Sequence, residues 1–437
     1  MWFNIIPFFI LGYFLLFFKN NRLNNLLTGL IFVSFFAFAT NYYDFGLEFS
    51  VFRYLHRIIG SLIAISLVFH VFSHRINVFR ELMPRILTLF FLVLLLSFVG
   101  NDIYAPYYFH YVRNFIFVTL IVLYLFYMLD SNEKLNELFK LIIAITIILT
   151  LSIFIYQVIM VLKNHEFHII HQTNLFFSNP NYLAYSLLPG FVLILFSEKK
   201  YRFLFLFLIF YGLLATGSRA ALVGAVFALA VDIYFKQYRK IYLIPILLTS
   251  LLITTLFFNN LIINAHASSA RYVITFITIN IFNEHPVNGI GYGQFRKKFR
   301  NYIDDDIRKM GSYEINDTLR GYEGSFPTSI ILSSMKPHKL KQQGLDLETE
   351  KMTHNDLLTI VAELGLLGIA CTVFIFYKLY IELQKLLLHN KKYFFLSISL
   401  IGSSLIFSLF HNNLTSFVFW FILFIPFIIN RNYMKIR

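Results

Sequence analysis

Apolar runs constrain this chain more than any other feature. A bilayer core takes roughly 17–25 residues of apolar helix. Runs near that length recur at residues 3–18, 26–40, 58–72, 86–100, 115–129, 141–162, 183–196, 203–216, 220–235 and 241–258, and again at 357–377, 393–410 and 414–429. With 58% hydrophobic and 14% charged residues, the 437-residue chain is too apolar for a soluble domain. The expected fold is all-α, a polytopic integral membrane protein with about 12–13 transmembrane helices and one large outer loop. The first run has no basic stretch before it and no small-residue cleavage site after it, so it reads as a retained helix rather than a removable signal.

The formal net charge of +14 sits in short loops between runs, where it orients a membrane chain and does not speak for nucleic acid. If every run crosses, the basic loops "KNNR", "HRINVFRELMPR", "EKKYR", "KQYRK" and "HNKK" and the tail "RNYMKIR" share one side. The positive-inside rule makes that side cytoplasmic. Three parts follow: helices with short loops over 1–258, a large outer loop with an interfacial helix over 259–353, and C-terminal transmembrane helices over 354–437. One cysteine, Cys371, lies in an apolar run, which removes disulfide and Cys-based metal chemistry.

The stretch "MTHNDLLTIVAELGLLGIA", 352–370, sets a polar trio at the outer mouth of an apolar helix. Thr353 and Asp356 have the spacing of a capping box, which predicts His354 in the first helical turn and a mild effect of Asp356→Asn. Gly365 and Gly368 return to the azimuth of His354 at 100° per residue and would let another helix pack closely, while Glu363 points the opposite way. An imidazole at a helix N-terminus is biased toward the neutral form that a general base needs. A plain helix terminus explains the trio equally well.

In "LLATGSRAALVGAVFALAV", the Ser-Arg pair at 218–219 falls on the outer side, against the charge rule, and precedes the small residues Ala221, Gly224, Ala225 and Ala228. A phosphate would suit Arg219, because guanidinium binds it in two-pronged fashion beside the free N–H groups of a helix start. Headgroup anchoring is the alternative, and Arg271 at the head of "ARYVITFITINIF" has the same two readings.

Together, "GSRAALVG", "ARYVITFITINIFNEHPVNGIGYGQF" and "HNDLLTIVAELGLLG" resemble the O-antigen ligase and polymerase superfamily of bacterial envelope glycosyltransferases. The ligase pattern of His, then Asn, nine residues and Gly-x-x-Gly is met by His354, Asn355, Gly365 and Gly368. "FFSNPNYLAYSLLPG" is similar to the family segment upstream of Ser-Arg. The resemblance implies an inner-membrane enzyme that moves a glycan from undecaprenyl diphosphate to an acceptor hydroxyl at the periplasmic face, without metal or other cofactor. It implies that Arg219 and Arg271 hold the diphosphate, that His354 activates the acceptor, and that Thr353, Asn355, Asp356, Gly365 and Gly368 cap and support. Lipid A-core is the expected acceptor of a ligase, a growing glycan that of a polymerase, and protein oligosaccharyltransferases share much of the pattern. A lipid-linked sugar transporter or flippase is the rival from another class; it would carry ionisable residues at mid-membrane and paired broken helices.

Other clusters carry less. His165, His168 and His171 in "HEFHIIH" miss the His-Glu-x-x-His zinc spacing. Asp304 to Asp306 reads as a solvated turn, and Arg53, Arg57 and Arg113 as interfacial anchors or an extended sugar surface.

Overall fold

The computed structural model describes residues 62, 65–67, 80–164, 180–198, 201–236, 265–303, 355–411, 413–414 and 416–436. The runs expected at 3–18, 26–40 and 241–258, most of 58–72, residues 304–353 and His354 lie outside them. So do Thr353, Arg53, Arg57, the three histidines of 165–171 and the Asp304 to Asp306 cluster.

All regular structure among the described residues is helical. The long helices are α1 (Leu82–Leu96), α2 (Ala105–Met128), α3 (Asn132–Asn164), α4 (Pro180–Leu195), α5 (Arg202–Thr216), α6 (Arg219–Phe235) and α7 (Ala265–Glu284). A short α8 (Phe295–Lys298) runs into a 3-10 turn at Phe299–Tyr302, and α9 (Asp356–His389), α10 (Lys391–Ser408) and α11 (Phe417–Ile436) complete the set. Each apolar run from 86–100 onward that falls among these residues forms a helix, as continuous apolar sequence without an interrupting loop requires when water cannot satisfy the backbone. Among the described residues, three helical stretches are long and apolar enough to cross a bilayer: Tyr111–Met128, Asn132–Ile159 and Asp356–His389.

Helices α6 and α10 run antiparallel. Ser403 Oγ donates to Gly224 O at 2.8 Å near the start of α6 and the end of α10, whereas Phe235 meets Phe395 at 4.9 Å at their other ends. Ala221, Gly224, Ala225 and Ala228 are all buried, and a Cβ on Gly224 would stand 3.1 Å from Ser403 O, so small side chains bring α6 against the serine-rich face of α10. Tyr185 of α4 pairs with Ser404 at 2.6 Å, and Phe196 meets Phe235 at 6.0 Å. Phe90 of α1 packs edge-on against Trp420 of α11 at 5.0 Å, and Arg431 near the end of α11 donates to Leu129 O at 2.9 Å.

The starts of α4, α6, α9 and α11 therefore share one end of the bundle with the ends of α1 and α10. Arg202, Lys236, Lys385, Lys392 and Arg431 gather at the opposite end, most of them paired with Asp232, Glu382 or Glu198.

Candidate functional site

The start of α9 differs from a Thr353 capping box. Asn355 is the N-cap: its backbone is extended (φ −159°, ψ 122°) and its Oδ1 accepts from the N–H groups of Leu357 at 2.8 Å and Leu358 at 3.2 Å. Asp356 is the first helical residue, so His354 precedes the cap and is not in the first turn.

Asp356 does not cap. Its buried carboxylate reaches across to the α10–α11 turn, accepting the Asn413 N–H at 2.8 and 2.9 Å and the Leu414 N–H at 3.1 Å. The same turn carries His411, whose ring lies 4.5 Å from Phe407, itself stacked on Tyr185 of α4 at 4.6 Å. The α10–α11 turn, absent from the sequence reading, and the start of α4, which carries "NPNYLAYSLLPG", thus lie beside the mouth of α9.

Nine residues further in, α9 breaks. Gly365 has φ 59° and ψ −149°, a region closed to side chains, so Gly365 and Gly368 do not continue the azimuth of the first turns. The break frees backbone groups, and the glycine-rich segment after α7 takes them up. Ile290 and Gly291 donate to the carbonyls of Ala362 and Glu363 at 3.0 and 3.1 Å. Leu366 and Leu367 donate to the carbonyls of Pro286 and Val287 at 2.8 and 3.0 Å. Irregular backbone inside an apolar bundle persists only where protein satisfies it in this way.

Glu363 completes the junction. Its buried carboxylate accepts the Gly293 N–H at 2.7 Å and the Phe295 N–H at 2.9 Å. On its far side the segment is tied to the α1–α2 turn: Asn101 Nδ2 donates to Gly289 O at 2.9 Å, Asn288 Nδ2 to Val99 O at 2.7 Å, and the Tyr104 N–H to Gln294 Oε1 at 2.9 Å. Tyr292 is sealed against Tyr111, and burial, with Glu363 nearby, pushes its phenol well above the usual range.

Arg219 opens α6. α5 ends on Gly217 in the left-handed region (φ 66°), Ser218 is the extended N-cap, and Arg219 is the exposed first residue. The Ser218 hydroxyl is buried and has no hydrogen-bond partner among the described residues. Arg271 is a residue of α7, of which only the backbone is described there. Ile274, Ile277 and Ile281 of α7 share an apolar cluster with Ala362, against which Leu358 packs, and α7 ends at the break, so it runs from the mouth of α9 inward. Arg271, three residues before Ile274, belongs to the N-terminal half of that helix, the half nearer the mouth of α9. Arg113 is an exposed residue of α2.

Among the described residues, no three His, Cys, Asp or Glu side chains are grouped to hold a metal. A family profile described as O-antigen ligase matches residues 204–318. The match supports the O-antigen ligase/polymerase superfamily. The stretch matched to O-antigen ligase contains Ser218, Arg219, Arg271 and the glycine-rich segment, and it ends before His354 and α9. No curated protein matches the chain significantly.

Proposed function

We infer that this protein is a glycosyltransferase that moves a glycan from undecaprenyl diphosphate to an acceptor hydroxyl at the periplasmic face, with ligation onto lipid A-core ahead of chain polymerisation. The observation that carries the reading is the O-antigen ligase match across both arginines. It is supported by the shared end of the bundle at which α6 begins with Arg219 and α9 begins beside His354.

In this reaction the acceptor oxygen bonds to the sugar C1, and the C1–O bond to the diphosphate breaks with its electron pair leaving on the diphosphate. Arg219 and Arg271 offset that developing charge, which fixed cations do without reorganising at the moment of reaction. His354 takes the acceptor proton. Attack in line with the departing diphosphate inverts C1. No metal or nucleotide enters the scheme.

The transporter reading loses ground at α9. A broken helix in a transporter leaves its freed backbone groups for cargo, but the Gly365 break has its carbonyls and N–H groups occupied by residues 286–291.

The test is purified protein in vesicles with a polyprenyl diphosphate-linked glycan and, separately, lipid A-core as acceptor. Glycan on lipid A-core marks a ligase, and elongated glycan still on the carrier marks a polymerase. Donor crossing the bilayer intact, with neither product formed, would replace the transferase reading by transport.

A further inference from the structure

At the end of the bundle opposite Arg219, the residues just after α4, the first turn of α5, the end of α6 and the first turn of α10 line an open-sided cavity of about 300 Å³. Arg202, Lys236 and Lys392 line it together with Glu198, Phe203 and Phe235. Three cations drawn from three helices face two carboxylates. Asp232, almost wholly buried, takes Arg202 Nη2 at 2.8 Å and Lys236 Nζ at 2.6 Å, and the exposed Glu198 takes Lys392 Nζ at 2.6 Å.

The positive surplus is incompletely satisfied. Arg202 Nε is buried without a hydrogen-bond partner among the described residues. Burial pushes the Lys236 ammonium below the usual lysine range; Asp232 opposes this, and the charges of Arg202 and Lys392 push the same way as burial. An additional anion in the cavity would offset the like charges of Arg202 and Lys392 around Lys236.

The apolar surroundings say what carries that anion. Phe203 at the cavity edge is 73% exposed, and Leu204 and Phe207, further along α5, are 62% and 75% exposed. A soluble anion has no use for such a strip, whereas an acyl chain covers it. The volume is at the lower limit of sites that hold small organic groups, roughly 300 Å³, which admits a glycerophosphate headgroup. A net positive lining favours a headgroup without its own amine.

We propose that this cavity is a binding site for an anionic glycerophospholipid of the phosphatidylglycerol class, its phosphate among Arg202, Lys236 and Lys392 and one acyl chain along Phe203 and Phe207. Basic pockets between transmembrane helices recognise anionic headgroups by this combination of charge and apolar wall. The lipid clamps the ends of α4, α5, α6 and α10, remote from the Arg219 end.

The test uses the full chain purified in neutral detergent, with phosphatidylglycerol, phosphatidylcholine or inorganic phosphate added at matched concentration. Bound lipid is read by native mass spectrometry and stability by thermal unfolding. Phosphatidylglycerol should be retained and should raise the unfolding temperature, while phosphatidylcholine and phosphate should do neither. Lys392→Gln, at a half-exposed position whose ion pair contributes little to folding, should weaken retention by about fivefold, the effect of one basic side chain near an anionic headgroup. Lys385→Gln removes a cation at the same end but outside the cavity, and it should leave retention unchanged. Equal retention of phosphatidylcholine, equal stabilisation by inorganic phosphate, or equal loss in Lys385→Gln and Lys392→Gln would each overturn the proposal.

Discussion

Gly289 and Gly365 meet backbone to backbone across the break in α9. A Cβ on Gly365 would stand 2.7 Å from the Gly289 amide nitrogen, and one on Gly289 would stand 2.6 Å from the Ala362 carbonyl oxygen and the Leu364 nitrogen. Both residues have positive φ, 63° and 59°. The glycine-rich segment and the helix are therefore built as one joint, and each glycine is required by the other.

Gly365→Ala and Gly289→Ala should each be among the most destabilising single changes in the chain. The backbone region of Gly365 alone costs a side-chain-bearing residue about 1–3 kcal/mol, and the overlap with backbone atoms, which cannot swing aside, adds to it. Thermal unfolding in detergent checks this against Gly100→Ala, where φ is also positive (76°) but a Cβ meets nothing within 4 Å. Similar losses at Gly100 and Gly365 would mean that conformation, and not the close approach, decides the cost.

Glu363 should hold the segment locally. Hydrogen bonds to a charged acceptor contribute about 1.5–3 kcal/mol each, and Glu363 accepts two from backbone donors of residues 293–295. Glu363→Gln keeps one acceptor oxygen and turns an amide NH₂ toward the other donor. Amide exchange at Gly293 and Phe295 should accelerate in Glu363→Gln, and more so in Glu363→Ala, before α10 and α11 are affected. Unchanged exchange at those two amides would sink the assignment.

Asp356→Asn should be harmful, reversing the mild effect that a capping role predicts. The carboxylate accepts three N–H contacts with two oxygens, and an amide must set its NH₂ against one of these donors. A buried donor left without a partner costs about 1–3 kcal/mol. Asn355→Ala loses an N-cap, about 1 kcal/mol, so unfolding measurements should rank Asp356→Asn at or below it in stability.

These joints mark where the sequence stops being legible. The apolar runs predict helices because a continuous 3.6-residue spiral is what such runs form when the backbone must satisfy itself, and α1 to α6 and α9 to α11 follow. Extending that spiral through Gly365 misassigned Gly365 and Gly368 to the azimuth of His354, because apolar spacing carries no sign of a φ reversal. A signal was present in Glu363, a carboxylate inside an apolar helix that must find donors, and in "NGIGYG", whose glycines allow backbone to approach backbone. Asp356 carried the same signal. The Ser-Arg turn was readable because Gly217 and Ser218 are helix-stop and helix-start residues that fix Arg219 as the first residue of α6.

The position of His354, one residue before the Asn355 cap, sharpens the test of its chemical role. The cap of α9 is supplied by Asn355, whose Oδ1 takes the N–H groups of Leu357 and Leu358. His354→Ala should therefore leave abundance and unfolding close to wild type while removing the base, a loss of about 10²–10⁴-fold in glycan transfer. Arg219→Lys keeps the charge but not the two-pronged geometry, and losing one charge-assisted bond of ~1.5 kcal/mol corresponds to about tenfold in rate. Asn355→Ala separates position from chemistry: it should lower stability and blur the site, yet retain far more transfer than His354→Ala. Initial rates with purified lipid-linked donor, at matched folded protein, read all three. Near-normal transfer by His354→Ala would remove the histidine from the reaction and leave the arginines as the remaining candidates of the site.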